Sequence, residues 1–247
     1  MGRLRTVNLA MPAEVDKRDG LAYSLWLPET ASAGIVIVHG AGSCKESHHD
    51  FARAAHAAGF AAIAFDQRGH GGSEGPMDAR ALDDVAAMAR LLRERIGDPE
   101  AAIALRGSSM GGYLAIVAAS AAGAAAIVAI ICPASAEGLR RGLQAGTLRF
   151  DANVDAVDAV LAGHELQPAV KALRAPLLVL HAEGDEQVPV QHSRELAAHF
   201  GSEGSRLIVL PGGHHRSIQH DEELQAISLR FIGGALRGGS APGSVHD

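Results

Sequence analysis

Hydrophobic residues along this chain fall into short runs bounded by glycine, proline and polar clusters. The runs Leu21–Leu27, Ile35–Val38, Ala61–Phe65, Ala102–Leu105, Ile127–Ile131, Leu177–Leu180 and Leu207–Leu210 predict β-strands. Between them the apolar spacing changes to that of a helix. The clearest cases are Ala79–Ile96, with Leu82, Val85, Met88 or Ala89, and Leu92 on one stripe, then Ser193–Phe200 and Glu222–Leu236. Strands alternating with helices of this length predict βαβ units, so the expected class is α/β with a mostly parallel central sheet flanked by helices.

Two stretches depart from that rhythm. No charge occurs from Gly107 to Ala136, and the apolar run Tyr113–Cys132 has about the length of a membrane span. Gly123 divides it, however, with an alanine-rich half before and the β-branched Ile127, Val128, Ile130 and Ile131 after. That pattern predicts a buried helix followed by a parallel strand covered on both faces, and no membrane span. Between Cys132 and Leu177 the alternation breaks. Val154, Val157, Val160 and Leu161 have helical spacing there, while Gly138, Gly142, Gly146 and Gly163 are expected to interrupt the rest. An insertion over about 135–175, after the sixth strand of such a sheet, is placed to form a small cap over the carboxyl edge, where open α/β sheets bind ligands. Residues 1–237 thus read as a single domain, and the Gly-, Ser- and Pro-rich 238–247 as a disordered tail.

Charge narrows the range of partners. Among 247 residues, 22 Lys and Arg face 28 Asp and Glu for a net charge of −6, with no run of like charge, so nothing attracts nucleic acid or an anionic membrane. A small molecule is the expected partner. The two cysteines, Cys44 and Cys132, form neither a disulfide framework nor a thiolate metal site. Together with charges scattered through Met1–Gly20, where a secretory signal would need an apolar core, this predicts a reducing, cytoplasmic setting. A homodimer is compatible with the sequence but not specified by it.

The strongest chemical signal is Gly107-Ser108-Ser109-Met110-Gly111-Gly112, directly after one predicted strand and before the helical run Tyr113–Ser120. A serine between glycines at this spacing sits on a strained strand-to-helix turn that lifts its hydroxyl to a helix N-terminus. Only Ser109 fits, because counting from Ser108 would require glycine at Arg106 and Met110. A serine hydroxyl is a poor nucleophile until a base takes its proton, so a histidine and an orienting acid must follow. Past the strand Leu177–Leu180 the acid candidates are Asp185, Glu183 and Glu186, of which Asp185 follows the turn-forming Gly184. After Leu207–Leu210 the base candidates are His214 and His215, in a loop opened by Pro211-Gly212-Gly213. Finally, His39-Gly40-Ala41-Gly42 follows another strand, and the N–H groups of Ala41 and Met110 are the candidate oxyanion hole, each donor worth roughly 3–4 kcal/mol in enzymes of this kind.

With these pieces in this order the chain resembles the α/β-hydrolase superfamily, from the strand at Leu21 to the helix ending near Leu236. Asp66-Gln67-Arg68-Gly69-His70-Gly71-Gly72-Ser73 is similar to a turn, mainly structural, of its esterase, lipase and peptidase-like branches. The resemblance favours His215, four residues after Pro211, and Asp185, in Asp185-Glu186-Gln187-Val188-Pro189. Within the superfamily the chain looks like the compact serine carboxylesterases and dienelactone-hydrolase-like enzymes, although serine replaces the cysteine of true dienelactone hydrolases and favours ordinary esters. Feruloyl esterases share the outline, but Phe150 is the only aromatic residue in the insertion. The resemblance implies a serine carboxylester hydrolase for small or medium acyl esters, needing no metal or organic cofactor. His48-His49-Asp50 does not alter this, since adjacent side chains point apart. Thioesterase, acyltransferase and aminopeptidase-like activities use the same catalytic groups, and a silent fold that only binds a ligand is the reading from a different class.

Overall fold

The computed structural model describes residues 9–238. Its centre is one eight-stranded sheet of β1 (Glu14–Arg18), β2 (Leu21–Trp26), β3 (Ala33–Val38), β4 (Ala61–Phe65), β5 (Ala102–Ser109), β6 (Ala124–Pro133), β7 (Leu177–Ala182) and β8 (Arg206–Leu210), in the order β1-β2-β4-β3-β5-β6-β7-β8. The β1–β2 and β2–β4 pairs are antiparallel, and all others are parallel. The fold is that of an α/β-hydrolase. The period of two in each strand sorts the core onto both faces of the sheet. Val36, Val38, Ile103, Leu105, Ile127 and Val179 face one side, whereas Ile35, Ile37, Ala104, Val128, Leu178 and Leu180 face the other.

Helices cover both faces. On the first lie α2 (Ala81–Ile96), α3 (Met110–Val117) and the short α4 (Ala119–Ala122). On the second lie α1 (His49–Ala57), which buries Phe51 and Ala55, and α9 (Glu222–Gly238), which buries Leu224, Phe231 and Ile232. The expected stripe of α2 buries Val85, Met88, Ala89 and Leu92, and Gly97 stops the helix at a positive φ of 82°. The apolar run beginning at Tyr113 is α3, α4 and the buried β6, divided at Gly123. Among the described residues no helix is long and apolar enough to cross a membrane.

The segment between β6 and β7 holds three helices, α5 (Ala136–Gln144), α6 (Val154–Gly163) and α7 (Leu166–Ala172). Gly138 and Gly142 do not interrupt it, contrary to expectation, but lie inside α5. The Ser135 hydroxyl accepts the Gly138 N–H as an N-cap, and Leu139 and Leu143, four residues apart, bury one helix face. Capping and burial together offset the roughly 1 kcal/mol that each glycine costs a helix. The break comes instead at Gly146, with φ of 64°. Nearly all of the expected tail, from residue 239 on, lies outside the described residues. Helix α8 (Val190–Ala197) starts after Pro189, three residues ahead of the predicted Ser193.

Candidate active site

Strand β5 runs directly into α3, and Ser109 is the joint. Its φ of 52° and ψ of −112° lie where a side chain is strained, and that conformation turns the chain sharply from strand to helix. The flanking glycines are required by contact. A Cβ on Gly107 would come within 2.1 Å of the Gly111 carbonyl oxygen, and one on Gly111 within 2.1 Å of the Val38 carbonyl oxygen. The second contact ties the turn to the end of β3, where the His39–Gly42 loop begins. A Cβ on Gly40 in that loop would lie 3.5 Å from the Cβ of Ser109.

Opposite the turn, β6 carries a bulge: Ser108 pairs with Ile130 but Ser109 with Pro133. Ile131 is left at φ of 63°, a strained value for a β-branched residue. It lines the cavity above Ser109.

The loops after β7 and β8 meet at the same place. Gly184 N–H donates to the Gly212 carbonyl at 3.0 Å, and a Cβ on Gly184 would fall 2.3 Å from the Gly213 oxygen. Side by side, the loops present Asp185 and His215. The Nδ1–H of His215 donates to Oδ2 of Asp185 at 2.7 Å, and its Nε2 lies 3.1 Å from the Ser109 hydroxyl. Asp185 and His215 are buried, while Ser109 is half-buried at the cavity floor.

Of the rival acids, Glu183 is exposed and pairs with Arg194, and Glu186 accepts the backbone N–H of His215 at 3.1 Å. His214 turns outward and accepts the Arg216 N–H.

Asp185 is held more firmly than its position in sequence indicated. Its Oδ1 accepts the N–H groups of Gln187 and Val188, both at 2.9 Å. Oδ2 also faces Nε2 of His181 at 3.3 Å. Burial would raise the Asp185 pKa, but the hydrogen bonds from His181, His215 and the two amides outweigh it and hold the carboxyl well below its usual range.

His181 is the residue sequence reasoning missed. It is fully buried at the end of β7, with Nε2 3.0 Å from the Val188 carbonyl and Nδ1 2.8 Å from the Ser193 hydroxyl. A carbonyl can only accept, so the Nε2 atom carries the proton and Nδ1 accepts from Ser193. The available signal was one polar residue in an apolar strand four positions before the acid.

Ala41, from the second predicted loop, lines the cavity, and Met110 is buried at the first position of α3. Behind the loop, His39 Nε2 accepts the Gln67 N–H, and His70 Nε2 accepts the Gly42 N–H at 3.1 Å. The Asp66–Ser73 turn is therefore a brace. Asp66 accepts from Lys45 Nζ at 2.9 Å and Gly72 N at 2.8 Å, and Arg68 grips Asp84 with Nε and Nη2. Burial, and secondarily the neighbouring His70, pushes the His39 pKa down to about 4, so His39 is neutral at physiological pH. Among the described residues no three His, Cys, Asp or Glu side chains are grouped so that they could hold a metal ion.

The family model for serine aminopeptidases, S33, matches residues 29–157 and 155–223. The chain belongs to this family of α/β-hydrolases. Over 247 aligned residues it is 27% identical to the uncharacterized protein YfhR of Escherichia coli, covering 92% of this chain and 82% of that one. It is also 27% identical to a monoacylglycerol lipase of Mycolicibacterium smegmatis, covering 82% and 88% of the two chains. The solved monoacylglycerol lipase of Paleococcus ferrophilus superposes with a TM-score of 0.68 at 18% identity, over 87% of this chain and 99% of that one. This S33-family chain thus shares its fold over most of its length with hydrolases.

Proposed function

We propose that the protein is a serine carboxylester hydrolase acting on small or medium acyl esters, with Ser109 as nucleophile, His215 as general base and Asp185 as its orienting acid. The observation that carries this is the hydrogen-bonded chain Asp185–His215–Ser109, 2.7 and 3.1 Å, opening onto a cavity of about 890 Å3. His215 Nε2 takes the Ser109 proton as the oxygen attacks the ester carbonyl, and the N–H groups of Ala41 and Met110 receive the oxyanion. His215 then protonates the leaving alcohol, and water, deprotonated by the same nitrogen, releases the acid from the acyl-enzyme. Helix α5 and the loop after it serve as a cap, with Leu139, Thr147 and Leu148 forming part of the cavity wall.

Likeness to monoacylglycerol lipases supports ester chemistry over peptide cleavage, and so does the cavity itself. An aminopeptidase has a substrate ammonium to hold, yet no Asp or Glu stands among the lining side chains. The test is hydrolysis of 4-nitrophenyl esters of increasing acyl length by wild type and Ser109→Ala, with labelling by a serine-directed phosphonate. Turnover that disappears in the variant, with label on Ser109, is the expected result. Absence of both turnover and label would leave a binding role.

A further inference from the structure

Although the chain is acidic overall, the cavity over Ser109 is not. Its charged lining consists of Arg141, Arg149 and Arg216, accompanied by His192 and His220. Arg141 is shared with Glu137 of its own helix, so it contributes least. Arg149 and Arg216 pair with no carboxylate among the described residues, and both side chains are exposed.

Their placement brackets the reacting serine. Arg216 directly follows His215, and the carbonyl of Arg149 lies against Gly42, where a Cβ would be 3.3 Å from it. One arginine thus lines the cavity on the base side and the other on the oxyanion-loop side. His220 already gives its Nδ1–H to Asp50, outside the lining. Two arginines without carboxylate partners among the described residues lining one concave site, in a protein of net charge −6, form a local positive field that a neutral ester would leave unused. A guanidinium presents its donors in a plane that matches a carboxylate or phosphate bidentately.

Resting on the ester-hydrolase reading above, we infer that the substrates are anionic esters, in which a carboxylate or phosphate away from the scissile carbonyl is held by Arg149 and Arg216. The charged group fixes the ester in the cavity and takes no part in bond making.

The test compares matched ester pairs with the full chain. One pair places the charge on the acyl side: the mono-4-nitrophenyl ester of glutaric acid against its methyl-capped diester. The other places it on the alcohol side: the acetyl ester of glycerol phosphate against that of glycerol. The expected result is a kcat/KM ratio of anionic to neutral ester about tenfold above one in at least one pair, shrinking as salt rises. Arg149→Gln and Arg216→Gln are each expected to lower that ratio roughly three- to tenfold, the scale of one exposed charge-assisted contact. Because each variant is read as a ratio on the same preparation, partial misfolding does not mimic the effect. Ratios at or below one in both pairs, with neutral esters still turned over and phosphonate label on Ser109, would overturn the anionic preference alone. A preference that survives both substitutions overturns the arginine assignment, and loss of all turnover and label from wild type overturns the ester reading beneath it.

Discussion

Asp185 receives four hydrogen bonds and gives none, so His215 is held against a carboxylate that cannot rotate. Replacing it by asparagine keeps the shape but offers an amide where His215 needs an acceptor, which favours the wrong imidazole tautomer. Asp185→Asn is expected to lower kcat about 10^3- to 10^4-fold with KM nearly unchanged, as steady-state ester kinetics would show. His181 acts one step further back. His181→Leu removes the bond to Oδ2 without touching Ser109 or His215, and a kcat loss of about tenfold at constant KM is expected, the cost of one buried hydrogen bond to a charged group. An unchanged kcat would make His181 a packing residue only. That Ser109, Asp185 and His215 would meet as a candidate site was legible in the sequence, because their turns show in glycine and proline spacing. His181 could not, since inside an apolar strand a polar residue looks the same whether it supports a site or merely caps a strand.

The same contrast holds for elements. Helices α2 and α9 and the inner strands were legible because burial marks the sequence, as a period of 3.6 in the stripe of α2 and as an unbroken apolar run in β3. Strand β1, reading EVDKR, was not: it is an exposed edge that buries almost nothing and is held by its pairing with β2. Helix α5 was hidden by its two glycines, whose cost is met by Ser135 and by tertiary contacts that no local window reveals. The loops after β7 and β8 show what such contacts do for the site. Each is an ordinary turn alone, yet their backbones touch at Gly184 and Gly213, so the Asp185–His215 distance is set by loop packing. In Gly184→Ala a Cβ 2.3 Å from the Gly213 oxygen must push the loops apart. The expected outcome is a kcat loss of about 10^2-fold from a displacement near 1 Å, with stability lowered by about 2 kcal/mol in urea unfolding.

At the scale of the whole molecule, titratable groups buried or half-buried in and around the site make the fold sensitive to acid. His39, His48, His70 and His192 all have pKa values lowered, burial being the largest cause in each. For His39 the folded value is about 4 against 6.5 for the free side chain. Above pH 6.5 both folded and unfolded chains leave it neutral, and its full contribution to stability is present. As pH falls from 6.5 toward 4 the unfolded chain takes up a proton that the folded chain refuses, and about 3 kcal/mol is lost over that window. Below it the folded form protonates as well and the loss from this group stops. Asp185 then adds a second loss of the same sign, because its depressed folded pKa stabilises the protein only above the free-carboxylate value of 3.8. Urea midpoints measured from pH 7.5 to pH 4 should fall steadily below 6.5, and His39→Gln, less stable at neutral pH, should show a shallower slope by about one proton. An identical slope in the variant would mean that His39 is protonated in the folded state at mild acidity. Its hydrogen bond from the Gln67 N–H would then be lost, and with it the support under the loop that carries Ala41.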